Sequence, residues 1–125
     1  MYYRFLLWGL FILLQILYIL AKYTYNGEQL ISSQEAKKRI IAGNIQHVVD
    51  VRTPAEYQNG HFEGSKHIPV HLISKSKLKN SGINKSDSVL VYCNTGQRAR
   101  FAAEKMMRLG YKNVKYIPGT YTSLQ

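Results

Sequence analysis

Ser88-Val89-Leu90-Val91-Tyr92-Cys93-Asn94-Thr95-Gly96-Gln97-Arg98 is the stretch whose reading decides the fold. Ser88 to Tyr92 is a compact, β-branched apolar run, the signature of a buried strand. Asn94 to Gln97 is polar and short, a tight loop. From Arg98 onward, Ala99, Ala102, Ala103, Met106 and Leu109 recur near one helical face until Gly110 stops the helix. The one cysteine of the chain therefore stands at the carboxyl end of a strand, just before a helix N-terminus. In open α/β sheets that is where ligands bind.

The same alternation extends to both sides. Upstream, Ser32-x-x-Glu35 is a capping box, followed by Ala36, Ile40 and Ile41 at helical spacing and by Gly43 as a stop. Ile45 to Val51 predicts a second buried strand. Thr53-x-x-Glu56 with Pro54 at the first helical position predicts a short helix. Residues 60–69 form a loop with one brief extended piece, and 70–79 a weak helix using Leu72, Ile73 and Leu78. Downstream, Asn113 to Ile117 predicts a third strand, turned at Pro118-Gly119. Strands alternating with helices argue for an α/β fold, a parallel sheet with helices on both faces.

The chain has 125 residues and a formal charge of +10. Its composition divides unevenly. Residues 1–26 hold 20 of the 57 apolar residues, and 27–125 carry 15 Lys+Arg against 7 Asp+Glu, a net +8. Phe5 to Ala21 holds 15 apolar residues in 17 and no charge. It spans roughly 25 Å as a helix, and Tyr2, Tyr3, Tyr23 and Tyr25 extend it toward the ~30 Å of a hydrocarbon core. This predicts a transmembrane anchor over 1–26 and a soluble domain over 27–125, joined by a short connector at 27–31. A cleaved signal peptide fits less well: the apolar run is long and AKYTYNG lacks a small-x-small cleavage site. Lys22, Lys37, Lys38 and Arg39 against Arg4 place the domain on the cytoplasmic side of the cell membrane. The basic charge points to anionic membrane lipid rather than nucleic acid, since no stacking aromatics interleave with it. A lone cysteine excludes an intrachain disulfide and a four-cysteine zinc site.

Cys93 is the chemical centre. Loop N–H groups converging on the sulfur, the dipole of the following helix and the fixed charge of Arg98 all favour a negatively charged sulfur. An activated nucleophile under an anionic substrate is expected. Gly96 permits a backbone that a Cβ would disfavour. Cysteine phosphatases wrap phosphate with Cys-x5-Arg. Cys93-x4-Arg98 is one residue tighter and suits a single sulfur atom above the thiolate.

Two stretches then resemble the single-domain rhodaneses. One is Asp50-x-Arg52, Glu56-Tyr57, Gly60-His61-Phe62 and Ile68-Pro69. The other is the loop CNTGQR with the helix end Ala102-Ala103-x5-Leu109-Gly110-Tyr111. The likeness covers about residues 30–119. It implies a rhodanese-like fold and a sulfurtransferase. Cys93 would take a sulfane sulfur from a small anionic donor such as thiosulfate, hold it as a persulfide, and yield it to cyanide or a thiol-bearing acceptor. Asn94, Thr95, Gly96, Gln97, Arg98 and Ala99 would hold the persulfide through their N–H groups, with no metal or organic cofactor. Asp50 and Arg52 would border the site, unless Arg52 pairs with Glu56 as a strand-to-helix staple. His61 is expected to be structural, and Arg100 to face the loop or solvent. The competing functions are a non-enzymatic rhodanese-like binding module at the membrane and a cysteine phosphatase or arsenate reductase. The family's Gly-Gly-x-x-x-Trp and closing helix are replaced here by Pro118-Gly119-Thr120-Tyr121, which predicts a final helix missing or very short.

Overall fold

The structure, a computed structural model, describes residues 2–125, with the side chains of residues 2 and 22–28 outside the described set. The interfacial roles expected of Tyr2, Tyr23 and Tyr25, and the charge of Lys22, therefore lie outside the described residues. The elements are α1 (Tyr2–Gln29), α2 (Ser33–Ile41), β1 (His47–Asp50), α3 (Pro54–Gln58), β2 (Lys66–His67), α4 (Lys75–Asn80), β3 (Ser88–Tyr92), α5 (Gln97–Arg108) and β4 (Asn113–Tyr116).

The four strands form one parallel sheet in the order β2-β1-β3-β4. Pleating sends successive side chains to opposite faces. Val49, Val51, Val89, Val91 and Cys93 face a core shared with Leu78 of α4 and with Ala99, Ala102, Ala103 and Met106 of α5. Val48, Leu90, Tyr92 and Ile117 face the other core, closed by Ala36 of α2 and Leu124. Both faces of β3 are thus covered, which is why Val89 to Tyr92 is a continuous apolar run instead of an alternating one. The small residues of α5 let that helix lie close to the sheet that carries Cys93.

The Thr53 cap forms as a full box, whereas at Ser32 the side-chain half forms and Glu35 Oε1 accepts from Arg39 Nε at 3.1 Å. Ser32 accepts from Glu35 N, and Thr53 and Glu56 form a reciprocal capping box with Pro54 in the first turn. Some boundaries differ. The helix expected over 70–79 divides into a 3-10 turn at Val70–Leu72 and α4, because Ser74 caps a new start by accepting from Lys77 N. Leu72 and Ile41, read as inward-facing, are 48% and 77% exposed. The connector at 27–31 is partly ordered: α1 continues to Gln29, Leu30 bridges Tyr116, and Ile31 N donates to Tyr116 O at 3.0 Å. The brief extended piece of the 60–69 loop is β2, the fourth strand. The last element is a single 3-10 turn, Tyr121–Leu124, in place of a closing helix.

Leu90 is fully buried between β1 and β4, so Leu90→Ala is expected to cost about 2–5 kcal/mol, while exposed Ile41→Ala stays within about 0.5 kcal/mol. Denaturant unfolding of the detergent-solubilised chain measures both, and equal costs would contradict this assignment of the core.

Candidate active site

Cys93 follows β3 and is completely buried beneath the start of α5. Its Sγ accepts from the backbone N–H of Gly96 at 3.1 Å and of Ala99 at 3.4 Å. The loop makes this turn because Gly96 adopts φ +95°, a left-handed conformation. Space enforces the same choice. A Cβ on Gly96 would lie 3.1 Å from Pro118 Cα and 3.4 Å from Ile117 O. The side chains of Asn94, Thr95 and Gln97 are exposed around the mouth, Arg98 is half-buried, and Gly96 and Ala99 are buried.

Asp50 and Arg52 meet this loop from the end of β1. Asp50 is fully buried and Arg52 nearly so. Asp50 Oδ1 accepts from Arg52 N at 2.9 Å and Nε at 3.1 Å, and Oδ2 accepts from Nη2 at 2.7 Å. Tyr92 OH also donates to Oδ2 at 2.7 Å, and Phe62 N donates to the Tyr92 hydroxyl at 3.0 Å. Arg52 spends its remaining donors on Gly60 O at 2.7 Å and Asn94 Oδ1 at 3.5 Å. Its guanidinium lies 5.5 Å from the Tyr92 ring centroid and 5.1 Å from that of Tyr121. The hydrogen bond to Asp50 raises the Arg52 pKa above its ordinary value, and burial pushes the Tyr92 hydroxyl up to about 12.

The Arg52–Glu56 staple is not what forms. Arg52 is directed inward by Asp50, and Glu56 takes Arg98 instead. Arg98 Nη1 donates to Glu56 Oε1 at 2.6 Å and Nη2 to Oε2 at 3.0 Å. Glu56 also accepts from Thr53 N at 3.1 Å, from Thr53 Oγ1 at 3.0 Å, and from Asn94 Nδ2. Arg98, foremost, with help from Thr53, holds the Glu56 carboxyl far below its ordinary range. The positive charge expected of Arg98 is therefore neutralised at the site. Glu56 was legible only as a helix cap. Its N3 position and the arginine one residue inside α5 were the available signals, but only the packing of α3 beside α5 joins them.

Other residues fall outside the constellation. Arg100 donates to Glu104 at 3.0 Å on the exposed face of α5. His61 bonds Tyr57 O at 2.8 Å and stacks on the Tyr57 ring, a structural role. His67 bonds Arg52 O at 2.7 Å. Among the described residues, no group of three or more His, Cys, Asp or Glu gathers as a metal site.

The rhodanese-like domain family matches residues 32–125. The chain belongs to that family. It is 35% identical over 74 residues to the thiosulfate sulfurtransferase PspE of Escherichia coli (strain K12), covering 59% of this chain and 70% of that protein. Two other relatives are longer, and the chain spans 47% and 57% of them. Among solved structures, the human single-domain sulfurtransferase TSTD1 shares the fold at TM-score 0.65 and 21% identity, over 76% of this chain and 93% of that one. An Escherichia coli rhodanese solved with anions matches at TM-score 0.54 and 34% identity, over 59% and 86%. The rhodanese-like α/β fold with its parallel sheet is thus established.

Two outcomes follow from this geometry. Gly96→Ala is expected to destabilise by about 1–2 kcal/mol or more, from the left-handed backbone plus the contact with Pro118, read by thermal unfolding. Glu56 has a depressed pKa, so its contribution is complete above its ordinary value of 4.5 and is lost as pH falls. The stability gap between wild type and Glu56→Gln should accordingly be flat near neutral pH and shrink in acid. A gap that widens in acid would reverse the sign.

Proposed function

We propose that this protein is a membrane-tethered sulfurtransferase in which Cys93 carries the sulfur. The observation that carries the reading is the sulfur at a parallel-strand end with two backbone N–H groups aimed at it. Such donors stabilise negative charge on sulfur without themselves reacting. In the first half-reaction the Cys93 thiolate attacks the sulfane sulfur of a small anionic donor. The Cys93 Sγ–S bond forms, the donor's S–S bond breaks, and its electron pair leaves with the sulfite of thiosulfate. In the second, a thiol or cyanide attacks the outer sulfur and releases the Cys93 thiolate. Two half-reactions through one covalent intermediate give ping-pong kinetics. Backbone N–H groups from Asn94 to Ala99 hold the transferred sulfur, and Asp50 and Arg52 brace the loop through Asn94. Membership of the family and the relative named thiosulfate sulfurtransferase support this chemistry. The chain has no second cysteine, so the acceptor thiol belongs to another molecule.

The tether is the segment Tyr3–Ala21, 19 residues that are long and apolar enough to cross a membrane and are not buried against the domain. Residues 1–26 then act as the anchor and 27–125 as the catalytic domain, facing the cytoplasm with its net positive charge toward anionic lipid.

Thiosulfate treatment should place cyanide-labile sulfur on the wild-type chain, about one per molecule, and none on Cys93→Ser. Equal sulfur on both would overturn the enzyme reading. Intact mass of the membrane-fraction protein should retain residues 1–26, and a mature chain lacking them would identify the segment as a cleaved signal instead.

A further inference from the structure

Both guanidinium groups beside the cysteine loop are already paired. Asp50 engages Arg52 through both carboxylate oxygens in the interior, and Glu56 takes both terminal nitrogens of Arg98. Each pair sums to zero charge. The groups aimed directly at the Cys93 sulfur are the backbone N–H groups of Gly96 and Ala99, and the charge of Arg98 is offset by Glu56. Glu56 is also not free to yield Arg98. Thr53 N, Thr53 Oγ1 and Asn94 Nδ2 hold the same carboxylate, and it is part of the cap of α3. A substrate anion would have to displace an intramolecular, bidentate partner that three other hydrogen bonds hold in place. A second negative charge on the donor thus gains little from Arg98 and is repelled by Glu56.

We propose that Glu56 is a specificity-determining residue that, by neutralising Arg98, tunes the site toward sulfane-sulfur donors bearing at most one negative charge, such as persulfides, and against dianions. The inference rests on the sulfurtransferase reading above and adds to it the charge class of the donor. For a persulfide R–S–SH, the Cys93 thiolate attacks the terminal sulfur. The S–S bond breaks, R–S⁻ leaves with the electron pair, and the proton stays on the transferred sulfur.

Thiosulfate and methanethiosulfonate separate charge from shape. The second replaces one anionic oxygen of the first by a methyl group, and both deliver one sulfane sulfur, leaving sulfite or methanesulfinate. The kcat/KM of each is measured on the full chain in detergent or nanodiscs, with cyanide as acceptor. Intrinsic reactivity cancels when the ratio of the two constants is compared between variants. Glu56→Gln keeps the capping-box side-chain acceptor. It should raise the thiosulfate-to-methanethiosulfonate ratio about tenfold, the scale of one uncovered charge at a half-exposed site, and make the thiosulfate rate more salt-sensitive. Arg98→Gln, which leaves Glu56 unpaired, should lower the ratio. The Glu56→Gln, Arg98→Gln double variant should lose the gain. A ratio unchanged in Glu56→Gln, or a gain that persists without Arg98, overturns the proposal alone. Failure of both donors to load sulfur on wild-type Cys93 overturns the sulfurtransferase reading and this inference with it.

Discussion

A buried carboxylate–guanidinium pair holds the site end of the sheet together. Asp50 and Arg52 sit in the interior, where taking two ions out of water costs several kcal/mol each unless every oxygen and N–H finds a partner. Here the partners come from separate segments. Asp50 accepts from Arg52 and from Tyr92 on the neighbouring strand, and Arg52 reaches Gly60, Asn94 and the rings of Tyr92 and Tyr121. The pair therefore joins β1, β3, the loop after α3, the cysteine loop and the final turn at one point. Apolar residues could fill the same volume, but they would not fix where Asn94 stands. What the ion pair adds is direction: it orients the first residue of the cysteine loop.

Around that fixed point the charges nearest the sulfur cancel. The chain carries +10, yet the two arginines beside the loop are each matched by a carboxylate. Net charge is a property of the whole surface, whereas reactivity responds to groups within a few ångströms. The N–H groups of Gly96 and Ala99 supply partial positive charge directly at the sulfur.

The strand–cysteine–helix unit was legible because its signals are local. The apolar run of Ser88–Tyr92, the small residues of α5 and Gly96 each state their own conformation, and the structure places all three as read. The helix starts capped by Ser32 and Thr53 were equally plain. What could not be read were pairings between segments far apart in sequence. Arg52 had two carboxylates within reach, Asp50 and Glu56. The extended end of β1 turns its side chain inward to the first, leaving the second for Arg98, 42 residues away. Exposure misled in the same way at Leu72 and Ile41, where periodicity gave a face but the next layer did not extend over it. The division of 70–79 by Ser74 shows a cap outweighing a weak apolar pattern.

The final turn packs against the domain through specific contacts. The expectation was a final helix missing or very short, which would leave little cover at that edge of the sheet. Instead Leu124 is buried in the core shared by α2, β1 and β3, and Lys37 Nζ of α2 donates to Gln125 O at 2.6 Å. Tyr121 covers the Arg52 guanidinium, and its hydroxyl occupies the space that a Cβ at Gly60 would need. Gly60 is thus required by the tyrosine above it as well as by its own backbone. One aromatic residue and one 3-10 turn shield the buried ion pair from water. Because the same pair orients Asn94, the packing of the C-terminal turn and the geometry of the cysteine loop are parts of one constraint.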